Sequence, residues 1–249
     1  MAIYDRIGQG YASYRRADAR IAKTIDDAFG DAASVVNVGA GSGSYEPKGR
    51  LVLGIEPSSV MRQQRPSDAA PCIPGMAESL PLETGSYDAA LAILTIHHWS
   101  DAAAGLREMR RVARKRVVLL TWVPDGPVFW LTRDYFPEIL AMDRTIFPGT
   151  DDLLSLIEAN TGPAHISTVP IPHDCTDGFL AAYWRRPEAY LDPAVRRAIS
   201  PFSRFDAEAG LAKLGADIDS GRWAALNAEL LALSEADFGY RLIRCDLAA

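Results

Sequence analysis

The segment Val35-Val36-Asn37-Val38-Gly39-Ala40-Gly41-Ser42-Gly43, followed by the apolar run Leu51-Val52-Leu53-Gly54-Ile55 that ends on Glu56, constrains the fold more than any other part of the chain. A short β-branched run feeding alternating glycines reads as a buried strand whose tip lets a ligand approach the backbone where side chains would block it. Glu56, at the tip of the next strand, stands where a carboxylate accepts hydrogen bonds from both hydroxyls of a ribose. Together these features point to a nucleoside-containing ligand on an α/β sheet.

Details of the loop narrow that ligand. A pyrophosphate loop has the form G-x-G-x-x-G and opens a helix whose N-terminus faces the phosphates. Here the glycines fall at Gly39, Gly41 and Gly43, and residues 44–50 leave room for little more than a turn of helix before the second strand. That is a poor seat for a dinucleotide. Asn37, polar on an otherwise apolar strand, adds a group under the loop that suits an ammonium.

Strand and helix signals alternate along the rest of the chain as a mostly parallel sheet requires. Apolar runs at 35–38, 51–55, 70–73, 89–96 and 117–122 show little polar alternation, as do strands covered on both faces. Residues 19–29 read as a helix ended by Gly30, and Ser100 or Asp101 can cap a helix with Ala102, Leu106, Met109 and Ala113 on one stripe. A sixth strand is expected at 166–169, and Tyr240-Arg241-Leu242-Ile243-Arg244-Cys245 alternates as a last, antiparallel edge strand. The expected fold is a Rossmann-like α/β domain, its mostly parallel sheet having about seven strands. At 249 residues and 48% hydrophobic the chain reads as one domain: N-terminal helices over 1–30, a cofactor-binding core over 31–122, and insertions over 123–150 and 170–237.

Charge and cysteine usage exclude several classes. The net charge is −6, and basic residues cluster only at Arg107, Arg110, Arg111, Arg114, Lys115 and Arg116, where they read as a solvated face closing a helix. No nucleic-acid partner is expected. Cys72, Cys175 and Cys245 are odd in number and far apart, which suits neither a zinc site nor a disulfide framework. No apolar stretch approaches a membrane span, and the start Met-Ala-Ile-Tyr-Asp-Arg lacks the hydrophobic region of a signal peptide. A cytoplasmic monomer or homodimer, without metal or membrane partner, is the expectation.

Further segments follow the loop in a recognisable order: Gly54-Ile55-Glu56-Pro57-Ser58 with Met61 one turn on, Gly75-Met76-Ala77-Glu78-Ser79-Leu80-Pro81-Leu82, Ser86-Tyr87-Asp88-Ala89-Ala90, Leu94-Thr95-Ile96-His97-His98-Trp99 and Leu106-Arg107-Glu108-Met109-Arg110-Arg111-Val112. With the loop and Asn37, this series resembles the class I S-adenosylmethionine-dependent methyltransferases, in the small-molecule branch related to ubiquinone and menaquinone biosynthesis. The resemblance covers residues 35–122 and fades beyond them. It implies S-adenosylmethionine as cofactor, held by Asn37, Gly39, Ala40, Gly41 and Gly43, with Glu56 on the ribose and Pro57, Ser58 and Met61 flanking the adenine. Met76, Ala77 and Glu78 would lie beside the ring, with Leu94 and Thr95 at the tip of the fourth strand. The implied activity is methyl transfer to a small organic acceptor by in-line displacement.

Two stretches exceed what the sheet needs: 124–150, with Phe129, Trp130, Tyr135, Phe136 and Phe147, and roughly 170–237. With the 4–16 segment, which carries Tyr11 and Tyr14 at helical spacing, they read as a lid over the carboxyl ends of the strands, a purely structural helical layer being the alternative. Holding a nucleophile in line with the departing sulfur contributes on the order of 7–11 kcal/mol. A hydroxyl or protonated amine also needs a base, and His97 and His98 are the natural candidates, one facing the acceptor while the other packs. Acceptor contacts are expected from Tyr11, Tyr14, Trp130, His173 and Tyr183, although Phe179, Tyr183 and Trp184 also have the spacing of core residues. Arg15, Arg16, Arg133 and Arg144 are candidates for an acceptor carboxylate. The competing functions are a nicotinamide-dependent oxidoreductase, whose third glycine this loop does not place, and a methyltransferase-like binding protein without turnover.

Overall fold

The β-branched run forms β1, Ser34–Val38, with all but its first residue buried. The computed structural model describes residues 16–247. β1 pairs in parallel with β2 (Leu51–Ile55) on one side and β4 (Tyr87–Ile93) on the other, which sets Asn37 opposite Gly54 and Leu91. β3 (Cys72–Ile73) extends the sheet past β2, and β5 (Ala113–Trp122) extends it past β4, both in parallel. β9 (Tyr240–Asp246) then runs antiparallel to both β5 and β6 (Ala164–Thr168), giving the order β3-β2-β1-β4-β5-β9-β6. A separate ribbon pairs β7 (Ile171–Pro172) with β8 (Glu235–Ala236). Strand order reverses between β1 and β4, so the loops after these strands diverge and leave a crevice at their carboxyl ends.

Helices cover both faces. α1 (Ala19–Phe29) starts on Asp18, whose side chain accepts from the Arg20 N–H, and stops at Gly30, which takes a φ of 53°. After β2 comes the short α2 (Ser59–Gln63), and α3 (Ala102–Val112) is capped by Asp101. The first insertion supplies α4 (Trp130–Asp134) and α5 (Pro137–Ile146), and α6 (Thr150–Thr161) leads into β6. α7 (Pro193–Arg197), α8 (Glu208–Asp219), α9 (Arg222–Leu226) and α10 (Ala228–Leu231) belong to the second. One core layer joins α3 and α6 to the sheet through Leu106, Met109, Leu153 and Ile157. The other unites α1 with the aromatic residues of both insertions.

Several boundaries depart from the sequence reading. β9 is interior: Leu242, Ile243 and Cys245 are buried on alternating sides, while Arg241 and Arg244 are carried by ion pairs with Asp237 and Asp246, so polar alternation does not mark an edge here. β4 stops at Ile93 because Leu94 turns the chain with a φ of 48°, and Ile96–His98 form a 3-10 turn. β5 begins at Ala113, so Arg114, Lys115 and Arg116 are strand residues, paired with Asp88, Asp31 and Asp246. Around residue 180 the chain forms a 3-10 turn, Leu180–Tyr183. No helix among the described residues is long and apolar enough to cross a membrane.

Candidate functional site

The loop after β1 is built to bring backbone close to a ligand. Gly39, Gly41 and Gly43 have φ values of 71°, 51° and 89°, a region L-residues avoid, and a Cβ on Gly39 would collide with the Thr95 side chain. The N–H groups of Gly39 and Ala40 both donate to the Ile55 carbonyl (2.8 and 3.0 Å), tying the loop to the end of β2. Glu56, buried at that strand's tip, accepts from the Gly41 N–H (2.9 Å) through one carboxylate oxygen and from the Ser58 N–H (2.8 Å) through the other. Each oxygen keeps further acceptor capacity. The Ser58 hydroxyl accepts from the Met61 N–H, and the Met61 methyl lies beside Gly41.

Beneath the loop, Asn37 donates through Nδ2 to Glu46 Oε1 (3.2 Å). Glu46 in turn takes the Arg65 guanidinium on both oxygens (2.7 and 2.8 Å) and accepts from the Ala70 N–H (3.2 Å), while Arg65 donates to the Gly41 carbonyl (3.2 Å). Both members of this ion pair are buried. Asn37 Oδ1 is then left buried with no partner among the described residues. A buried acceptor without a donor is costly, and the ammonium of a bound amino-acid group is the donor that fits. The glycine cradle, the Glu56 carboxylate and this orphaned amide oxygen together fit S-adenosylmethionine.

Other segments are arranged less directly. Ala77 is buried, Met76 is half exposed, and the Glu78 carboxylate accepts from the Ser100 N–H (2.7 Å), the Ser100 hydroxyl (2.8 Å) and the Asp101 N–H (3.3 Å), tying its turn to the start of α3. A clasp crosses the other side: the Tyr45 hydroxyl donates to Asp177 (2.8 Å) and accepts from the Asp18 N–H (3.3 Å). Arg20 beside Asp18 holds its carboxyl well below the usual carboxylate range. This clasp fastens the glycine loop to α1 and to the second insertion.

The turn at 94–98 faces two ways. Thr95 packs on Gly39, whereas Leu94, His97 and His98 line a cavity of about 130 Å³ whose other walls come from both insertions and from Trp122 and Tyr240. His97 sits with its ring 3.8 Å from that of His98 and 4.3 Å from Phe147, and its Nδ1 is buried with no partner among the described residues. Burial, with His98 and Arg204 nearby, pushes His97 down to about 3; burial and Arg204 push His98, the more exposed ring, down to about 4. Both imidazoles are neutral at physiological pH. Asp143 of α5 also lines the cavity, and burial pushes its carboxyl up to about 6 against the opposing pull of Arg204.

Comparison with known proteins agrees with this geometry. A methyltransferase-domain family model matches residues 36–121. A candidate methyltransferase from an antibiotic biosynthesis pathway of Anabaena variabilis is 36% identical in its solved structure, with a TM-score of 0.87 over 94% of this chain and 99% of that one. The chain belongs to the class I S-adenosylmethionine-dependent methyltransferases. Rice 2-methyl-6-phytyl-1,4-hydroquinone methyltransferase 2 is 29% identical over 109 residues, which are 40% of this methyltransferase and 31% of the rice enzyme. The uncharacterized protein YafE of Escherichia coli is 31% identical over 128 residues, 49% of this chain and 59% of that one. The matched region thus spans less than two thirds of either curated relative.

The structure brings some sequence candidates of this methyltransferase together and separates others. Asn37, Gly39, Ala40, Gly41, Gly43, Glu56, Pro57, Ser58 and Met61 converge at the ends of β1 and β2, with Leu94 and Thr95 at the end of β4. Trp130 does not reach the cavity: it is buried against Tyr190 and Trp223 and donates Nε1–H to the Trp184 carbonyl (2.8 Å), because an indole ring with a ready backbone acceptor gains more from the core. Tyr183 packs edge-on against Tyr190, beneath the Arg186 guanidinium. His173 stands partly exposed with Nδ1 3.7 Å from Asp174, and Arg133 pairs with its neighbour Asp134. Tyr11, Tyr14 and Arg15 lie outside the described residues. Among the described residues, no cluster of three or more His, Cys, Asp or Glu side chains is placed to hold a metal ion. Sequence reasoning missed Asp143 and Arg204, which are separated along the chain and meet only through the fold.

Proposed function

We propose that this protein transfers a methyl group from S-adenosylmethionine to a small organic acceptor held in the cavity at the end of β4. One observation carries the reading: the turn at 94–98 serves the glycine loop through Thr95 and the cavity through Leu94 and His97. Bound S-adenosylmethionine supplies a methyl group on a sulfonium sulfur, which keeps the bonding electrons as a thioether once the acceptor's lone pair has taken the methyl. Glu56 accepts from the ribose hydroxyls, and Asn37 Oδ1 accepts from the ammonium. His97, neutral because it is buried, offers Nδ1 as a hydrogen-bond acceptor to the nucleophile and is the base of the step where the acceptor must lose a proton. His98 packs against it.

The small-molecule branch related to ubiquinone and menaquinone biosynthesis is the finer assignment we infer, supported by the order of segments over residues 35–122 and by the hydroquinone named for the rice relatives. The pathway named for the Anabaena protein likewise supports a small-molecule acceptor. Three free thiols, at Cys72, Cys175 and Cys245, favour a reducing compartment such as the cytoplasm. Calorimetric titration with S-adenosylhomocysteine and with NADH tests the cofactor: the first is expected to bind, and NADH binding without it would overturn the reading. Release of S-adenosylhomocysteine from S-adenosylmethionine over a panel of small phenols and amines tests the transfer.

A further inference from the structure

One cation on the wall of the acceptor cavity is paired with no anion among the described residues. Arg204 lines the cavity together with His97, His98 and Asp143, and its guanidinium makes no ion pair and no hydrogen bond with any described residue. Most described arginines are held otherwise: Arg65 by Glu46, Arg111 by Glu108, Arg114 by Asp88 and Arg196 by the Tyr190 carbonyl. The charge of Arg204 reaches across the cavity, where it lowers both histidines and Asp143. The histidines are neutral and do not balance it. Asp143 is the carboxyl on the same wall, and burial pushes it up to about 6, so an anion placed beside Arg204 would drive it further toward its neutral form.

The chemistry that answers an unpaired guanidinium is a carboxylate, whose two oxygens match its forked N–H groups. A cationic acceptor would be repelled by Arg204, and a neutral one would leave the charge as it is. Trp122, Phe147, Phe179 and Tyr240 wall the same cavity, and a charge-assisted hydrogen bond is stronger beside such walls than in open water. Residues that decide the acceptor belong outside the region a broad family shares. Arg204 follows the 3-10 turn Ser200–Ser203 of the second insertion, beyond the residues 36–121 that the methyltransferase-domain model matches. Resting on the acceptor cavity assigned above, we propose that the methyl acceptor is an organic acid whose carboxylate pairs with Arg204 while its nucleophilic atom faces His97. Arg204 is a specificity-determining residue in this scheme: it holds the acceptor away from the reacting atom. The carboxylate goes beyond the hydroquinone given in the names of the rice relatives.

A cavity of about 130 Å³ is close to the roughly 150 Å³ that takes up benzene in an engineered core, which sets the size of the probes. The test uses the protein saturated with S-adenosylhomocysteine and ligand-observed NMR titration, at about pH 6, with acids matched to their amides: benzoate with benzamide, and hexanoate with hexanamide. At least one acid is expected to bind about tenfold or more tighter than its amide. That advantage should vanish in Arg204→Gln and survive in part in Arg204→Lys, which keeps the charge and loses the fork. It should persist in Arg144→Gln, which removes the guanidinium of the smaller adjoining cavity of about 30 Å³. Retained S-adenosylhomocysteine affinity shows that the variants are folded. Equal binding of each acid and its amide, an advantage that persists in Arg204→Gln, or one that is lost in Arg144→Gln overturns the pairing with Arg204 and leaves the acceptor cavity standing. Failure of all four compounds to bind the loaded protein overturns this proposal, while the methyl-transfer reading stands or falls separately on release of S-adenosylhomocysteine over the phenols and amines.

Discussion

The two halves of the cleft hold their polar groups in opposite ways. On the cofactor side, Glu56, Glu46, Arg65 and the loop amides are bonded to one another before any ligand arrives, and Asn37 Oδ1 is the orphan. On the acceptor side, His97 Nδ1 is buried with no partner among the described residues, and Asp143 lines the same cavity. A cradle bonded at all but one of these groups is rigid and suits one invariable ligand. A cavity with unpaired groups gains its specificity from what enters it, because an entering molecule that lacks the right donors leaves them unpaired.

The largest expected effect lies on the acceptor side. His97→Gln should slow turnover by about 10²–10⁴ if the imidazole takes the acceptor's proton, with little change in S-adenosylhomocysteine affinity. Steady-state rates and calorimetry on the same variant read the two halves separately. Full activity would assign catalysis to positioning alone and move the base, if one is needed, off the 94–98 turn.

Next comes the scaffold of the cofactor side. Glu46→Ala strands the buried Arg65 guanidinium, and removing one member of a buried pair typically costs about 3–5 kcal/mol. It also frees the Asn37 amide to turn over, since the Glu46 carboxylate is what commits Nδ2 to one side. Chemical denaturation should show the loss of stability. Comparing S-adenosylhomocysteine with 5′-methylthioadenosine, which lacks the amino-acid end, should show a loss of affinity for the first only.

These contrasts follow how much each half disclosed in sequence. Gly39, Gly41, Gly43 and Glu56 were legible because their constraint is local: positive φ demands glycine, and a strand tip carries a known direction. The sheet was legible for the same reason, except at β9, where ion-paired arginines imitate the polar face of an edge strand. The acceptor half depends on where two insertions dock. An aromatic residue at helical spacing reveals only that it is buried, so Trp130, fixed in the core by the Trp184 carbonyl, looked the same as Phe147, which reaches the cavity. Asp143 and Arg204 had no local signature at all. Glu78 was legible only through the resemblance, as part of the Met76-Ala77-Glu78 segment, while the backbone it caps was not.

A smaller effect is expected at Glu56. Hydrogen bonds to a charged acceptor contribute about 1.5–3 kcal/mol, so Glu56→Ala should weaken S-adenosylhomocysteine binding roughly tenfold or more. The same change releases the Gly41 and Ser58 amides, which loosens the loop without opening the core. Unchanged affinity by calorimetry would remove Glu56 from the cofactor site and make it a loop staple only.

The smallest effect is a pH dependence of stability, and its sign differs between groups of the same cavity. His97 and His98 are depressed to about 3 and about 4, chiefly by burial, so below about 6.5 the unfolded chain takes up protons that the folded chain refuses. The stability that depends on neutral imidazoles is therefore complete above that pH and is lost as pH falls toward their folded values. Asp143 runs the other way: raised to about 6 by burial, it holds a proton in the folded state where the unfolded chain has lost one, and that contribution disappears as pH rises from about 4 to 6. Between pH 6.5 and 5 the two histidines oppose the single aspartate. His97→Leu should accordingly flatten the decline of the urea midpoint on acidification, and Asp143→Asn should steepen it. Identical pH slopes in wild type and both variants would mean that the cavity is hydrated well enough to erase the difference between His97 and Asp143.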